Sequence, residues 1–196
     1  MAENPESGIG HRKRLWRIAP WTISALTLLL PLIAMQFTDE VDWNATDFAV
    51  LGIMLTGACG AYELAASRNG NIAYRAGVGV ALVAAFILIW MNLSVGIIGA
   101  DDDPANLMYG GVLAAGLFGA FIVRFQPRGM ARALVATALA QMVPGVVALA
   151  AGWGSAAENW PEAIVVLTGF FAALWLMSAW LFRKAALGQP LADAKP

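Results

Sequence analysis

Apolar residues in this chain run in long blocks broken by short polar stretches. Six blocks stand out, at about 18–37, 47–66, 74–99, 105–125, 130–152 and 162–182. Each is close to the roughly 20 residues that a helix needs to cross about 30 Å of hydrocarbon. Strands of a membrane barrel would be about half as long and would alternate strictly; these runs are apolar all round. Lipid offers no hydrogen-bond partners, so a spanning backbone must satisfy itself, which a helix does. The pattern predicts an all-α membrane protein with six transmembrane helices.

Charge gives the orientation. The 12 Lys and Arg fall in four places only. Arg12, Lys13, Arg14 and Arg17 precede the first block, Arg68 and Arg75 flank the second loop, Arg124, Arg128 and Arg132 flank the fourth, and Arg183, Lys184 and Lys195 follow the last block. The remaining loops carry Asp39, Glu40, Asp42 and Asp47, then Asp101, Asp102 and Asp103, then Glu158 and Glu162, with no Lys or Arg. Basic loops stay on the cytoplasmic side during insertion. Both termini and the loops near 70 and 128 are therefore expected in the cytoplasm, with the acidic loops outside.

The blocks also repeat. Arg17, Arg75 and Arg132 open the odd helices at intervals of 58 and 57 residues, and Arg68, Arg124 and Arg183 close the even ones. Gly52, Gly57, Gly60, Ala61 and Tyr62 in the second block match Gly111, Gly116, Gly119, Ala120 and Phe121 in the fourth at equal offsets. Small residues let helix backbones approach where lipid supplies no hydrophobic drive. A polar pair three residues apart recurs before each even helix: Asn44 and Asp47, Asp103 and Asn106, Asn159 and Glu162. That spacing suits a reciprocal helix cap. The expected fold is thus three tandem parallel helical hairpins. A cytoplasmic basic tail, 1–16, precedes a transmembrane domain, 17–184, with units 17–68, 75–124 and 132–184; a second cytoplasmic tail covers 185–196.

Only 13% of residues are charged, about half the share of a soluble domain. Cys59 and His11 are single, which excludes an intrachain disulfide and a zinc site built from His and Cys, since zinc takes three or four protein ligands. No cofactor and no nucleic-acid partner is expected. No catalytic motif is present, so the enzyme class is disfavoured. Polar groups inside spans are the default candidates for function. Asn92 and Gln141 are expected to point into the bundle and find polar partners. Glu63, near the cytoplasmic end of the second helix, is expected to pair with Arg17, Arg75 or Arg124. Pro31 and Pro144 each remove a helix hydrogen bond. Arg124, Arg128 and Arg132 are candidates for contact with anionic lipid headgroups or a protein partner. A homo-oligomer or another membrane protein is a further possible partner.

Three stretches, Asn92–Gly99, Pro104–Tyr109 and Arg124–Leu134, together resemble a group of small bacterial membrane proteins with no assigned function. The resemblance covers about half the chain. It implies a bacterial inner membrane and brings no active site. Two functions compete: a non-catalytic scaffold or accessory subunit, and a small-solute or ion transporter or channel. A wet cavity reaching Asn92 or Gln141 would favour the second, a closed core the first.

Overall fold

A computed structural model of the chain describes residues 5–38 and 40–188, with side chains from residue 18 onward. The apolar blocks form α1 (Pro5–Ala34), α2 (Ala45–Arg68), α3 (Ile72–Ser94), α4 (Met108–Ile122), α5 (Pro127–Ala151) and α6 (Glu162–Leu187), with a 3-10 turn at Pro104–Leu107 leading into α4. No strand occurs among the described residues. Five helical segments, including Pro104–Ile122, are long and apolar enough to cross a membrane; α1 holds a shorter apolar stretch, Ile18–Ala34.

The distribution of side chains is that of a protein solvated by lipid. Leu30, Ile53, Leu139, Val166 and Trp180 are exposed, whereas Thr137, Gln141 and Ser178 are completely buried. In water such an apolar exterior would drive association. In hydrocarbon it carries no penalty, and the polar groups turn inward to find partners.

α6 runs on to Leu187, past the expected end at 182 and into the expected tail, and two further boundaries differ from the sequence expectation. The N-terminal tail is helical from Pro5, because Lys and Arg are good helix formers and extend a helix already nucleated by the apolar block. The side chains of His11, Arg12, Lys13, Arg14 and Arg17, and the tail beyond Gly188 with Lys195, lie outside the described residues. At the other boundary, α3 ends at Ser94, not at 99. Val95 to Gly99 is apolar enough to continue, but Gly96 and Gly99 take φ of +70° and +66°, a conformation that ends a helix.

The chain divides into two compact units, residues 1–67 and 68–196. In the first, Ser24 Oγ and Cys59 Sγ share a hydrogen bond of 3.1 Å between α1 and α2. The start of α2 is a complete cap. Asn44 Oδ1 accepts from Thr46 N at 2.7 Å and Asp47 N at 3.3 Å, and Asp47 Oδ2 accepts from Asn44 N at 2.8 Å. Trp43 and Phe48 close over it edge to face at 5.3 Å, a hydrophobic staple.

In the second unit the helices pack in the order α3, α6, α5, α4. The α5–α6 contact is the most extensive, and α3 and α4 barely touch. Small residues decide this. A Cβ on Gly77 of α3 would stand 3.0 Å from the Phe182 ring of α6, and Ser178 Oγ donates to Gly77 O at 2.7 Å. On α4, Gly116 faces Thr137 and Gly119 faces Ala133, both of α5. These close approaches seat α3 on α6 and α4 on α5, so α3 and α4 do not pack as a hairpin, whereas the consecutive pairs α4–α5 and α5–α6 do. At the basic end, Tyr74 stacks edge to face on Phe182 at 5.0 Å and donates to Phe125 O at 3.0 Å. That bond holds a tight turn in which Arg124 and Phe125 take φ of 51° and 58°. Non-glycine residues adopt such angles only when their surroundings impose them.

Candidate functional site

Gln141 is central to the α5–α6 interface. It is fully buried, and Trp175 Nε1 donates to its Oε1 at 3.4 Å. Its Nε2 has no partner. Two further polar groups lie towards the acidic end. Thr168 Oγ1 packs where Gly145 leaves room, and the Tyr109 hydroxyl of α4 faces Thr168. Both hydroxyl oxygens are buried, and apart from each other they have no partner among the described residues. A Cβ at 145 would meet Thr168 Oγ1 at 2.5 Å, so Thr168 would have to shift to admit one. The result is a buried seam of amide, indole and hydroxyls without carboxylate, imidazole or ammonium. It can orient helices, but it offers no group suited to general acid–base work near neutral pH.

Gln141→Leu is therefore expected to change stability little, by about 1 kcal/mol or less. It exchanges one long hydrogen bond and one unpartnered amide for an apolar side chain of similar size. Unfolding in mild detergent checks this. A large loss would show that the amide matters beyond the bond to Trp175.

Asn92 departs from its expectation. It lies two residues before the end of α3 rather than at mid-span. Its Nδ2 donates to Leu88 O of its own helix at 2.7 Å, and its Oδ1 is buried without a partner. The amide that joins segments is Asn106. Its Oδ1 accepts from Ile97 N and Ile98 N at 3.0 and 2.9 Å, and its Nδ2 donates to Ile98 O and Ala100 O at 3.2 and 2.8 Å. The expected cap pair forms in part only: Asp103 Oδ1 accepts from Ala105 N at 2.8 Å, while Asn106 turns to the preceding loop. The third pair does not form at all, since Pro161 takes the N-cap position of α6 and no side chain caps the helix.

Behind this loop lies a cavity of about 240 Å³, walled by Met91, Val95, Ile97, Trp160, Ile164 and Leu167. Backbone at Gly99 and Gly154 closes one side. Gln141 and Asn92 are not part of its wall. The cavity brings together residues that the sequence reading placed in two different spans, 74–99 and 162–182, and in the loop before the second of them.

Glu63 is half-buried. It makes no hydrogen bond or ion pair with any described residue of its own unit. Arg124, Arg128 and Arg132 are exposed at the basic end of the second unit, together with Arg68, Arg183 and Lys184. Lys184 Nζ lies 5.4 Å from the Trp180 ring centre. Arg128 and Arg132 are one turn apart on α5, so both present charge on one face. The site residues read from sequence thus lie in separate places: Gln141 in the core, Asn92 near the acidic end, Glu63 in the other unit, and the arginines on the rim.

Comparison of the chain with protein-family models, with curated proteins and with solved structures finds no match.

Proposed function

We propose that the chain is a six-span protein of the bacterial inner membrane, with both termini cytoplasmic, serving as a non-catalytic scaffold or accessory subunit. The observation that carries this reading is the closed midplane of the second unit. Gln141, the most polar group there, is completely buried and bonded to Trp175. A transporter or channel, the alternative, needs a wet path to such a group, and the cavity at the acidic end does not include it. The sixth span is the Ile18–Ala34 stretch, extended by its helical flank. The tandem repeat supports the reading in a second way. On α4, Gly116 and Gly119 face α5, although Gly111 meets nothing within 4 Å, whereas Cβ atoms added at their counterparts Gly57 and Gly60 of α2, and at Gly52, would all meet nothing within 4 Å. A matching row without an occupant in its own unit suits a partner helix.

Two measurements test this. In a Cys59→Ser background, a cysteine replacing Asp102 should react with an impermeant reagent in intact cells, and one replacing Gly70 should not. Labelling at Gly70 would overturn the orientation. A photo-crosslinker at Gly57 should give one discrete higher-mass adduct in membranes, while one at Gly116 gives none. Absence of that adduct, together with solute flux in proteoliposomes, would replace the scaffold reading by the transporter one.

A further inference from the structure

We infer that the cavity at the acidic end of the second unit binds a small amphiphilic cation, an apolar body carrying one ammonium-type head. The inference does not depend on the scaffold reading.

Size and lining set the body. At about 240 Å³ the cavity falls just below the roughly 300–1,000 Å³ typical of drug-sized sites. The wall mixes apolar side chains, Met91, Val95, Ile97, Ile164 and Leu167, with nearly as much polar surface, to which the amide of Asn159 and the backbone at the glycines belong, and with the indole of Trp160. No charged side chain is part of the wall. A hydrated metal ion finds too few oxygen ligands in such a lining. An apolar group gains about 25 cal/mol for each Å² removed from water.

The surroundings set the sign of the head. Asp103 uses Oδ1 to cap Ala105 N. Its Oδ2 stands 3.1 Å from the position a Cβ would take on Gly99, which is part of the cavity wall. Glu158 and Glu162 flank the wall residues Asn159 and Ala163 in sequence, and Asp101 and Asp102 are exposed beside Asp103. No Lys or Arg occurs between Arg75 and Arg124 or between Arg132 and Arg183. Every charge described at this end is negative, so the mouth repels anions and concentrates cations. Trp160 adds an aromatic wall, the preferred ring for an organic cation. The apolar side chains and the indole receive the body, the polar part of the lining faces the head, and the carboxylates select its charge.

The test is equilibrium binding of radiolabelled benzyltrimethylammonium to the full chain in nanodiscs of zwitterionic lipid, with empty nanodiscs as the blank. Neopentylbenzene, its uncharged carbon isostere, is the competitor. Saturable binding above the blank is expected, with the isostere competing at least roughly tenfold more weakly. Ala163→Phe, which fills the cavity, should abolish binding. Asp103→Asn keeps the oxygen that caps Ala105 and removes the charge, so it should weaken binding roughly two- to fivefold and flatten its salt dependence. It also serves as the deciding variant if Ala163→Phe elutes as aggregate. No binding above empty nanodiscs, equal competition by the isostere, binding unchanged in a folded Ala163→Phe, or binding unchanged in Asp103→Asn would each overturn the inference.

Discussion

Asn106→Ala is expected to destabilise the second unit by about 3–5 kcal/mol, the largest loss from any single polar deletion in it. The residue is 7% exposed and bonds four backbone groups, at Ile97, Ile98 (twice) and Ala100. Ile97 and Ile98 are themselves buried, so water does not replace the lost partners. Each buried backbone group left unpaired costs roughly 1–3 kcal/mol, part of which relaxation recovers. Asn106→Asp keeps the acceptor for Ile97 and Ile98 but loses both donations, and its loss should be intermediate. Asn92→Ala is the control. Asn92 bonds only Leu88 O of its own helix, and its removal also removes an unpartnered buried oxygen, so the change should stay within about 1 kcal/mol. Chemical unfolding of the three variants in one detergent gives the ranking. Equal losses for Asn92→Ala and Asn106→Ala would refute the role assigned to Asn106.

These two asparagines show where sequence reading works and where it stops. Long apolar blocks made the helices legible, because a lipid solvent leaves the backbone one economical solution. The end of α3 was not legible. Val95 to Gly99 is as apolar as the helix before it, and the ending depends on Asn106, which bonds Ile97 and Ile98 from beyond the loop. Cap pairs tell the same story. Asn44 and Asp47 close on each other, Asp103 caps while Asn106 reaches elsewhere, and Asn159 and Glu162 form no cap pair. One spacing has three outcomes, because spacing permits a bond and competing partners decide it.

Packing order was hidden for a related reason. The glycines of α4 were legible as a seam, but not which helix would fill it. Gly116 and Gly119 meet Thr137 and Ala133, and Gly77 meets Phe182, about a hundred residues away. Gln141 was legible because a carboxamide in hydrocarbon needs a partner. That the partner is Trp175, 34 positions on, follows only from the helix crossing. The cavity is the least legible feature, since its wall combines residues near 91–99 with others near 154–167.

Gly154→Ala is the second large effect, expected to cost at least about 3 kcal/mol. Two causes add. Gly154 takes φ +78°, where any Cβ is disfavoured by roughly 1–2 kcal/mol. A Cβ there would also stand 2.8 Å from Gly99 N and 3.4 Å from Gly99 Cα. That neighbour is backbone, and it cannot rotate aside as a side chain would. The loop carrying Gly99 is itself fixed by the bonds from Asn106 to Ile98 and Ala100, so movement at 99 would strain those bonds. Gly152 separates the two causes. It caps α5 with φ +70° and bonds Ala148 O, yet a Cβ added there meets nothing within 4 Å. Gly152→Ala should therefore lose only the conformational part, about 1–2 kcal/mol. The difference between the two variants, read from unfolding in the same detergent, measures how closely the loops at 99 and 154 cross. If Gly152→Ala and Gly154→Ala lose the same amount, the close crossing that closes one side of the cavity does not exist in the membrane.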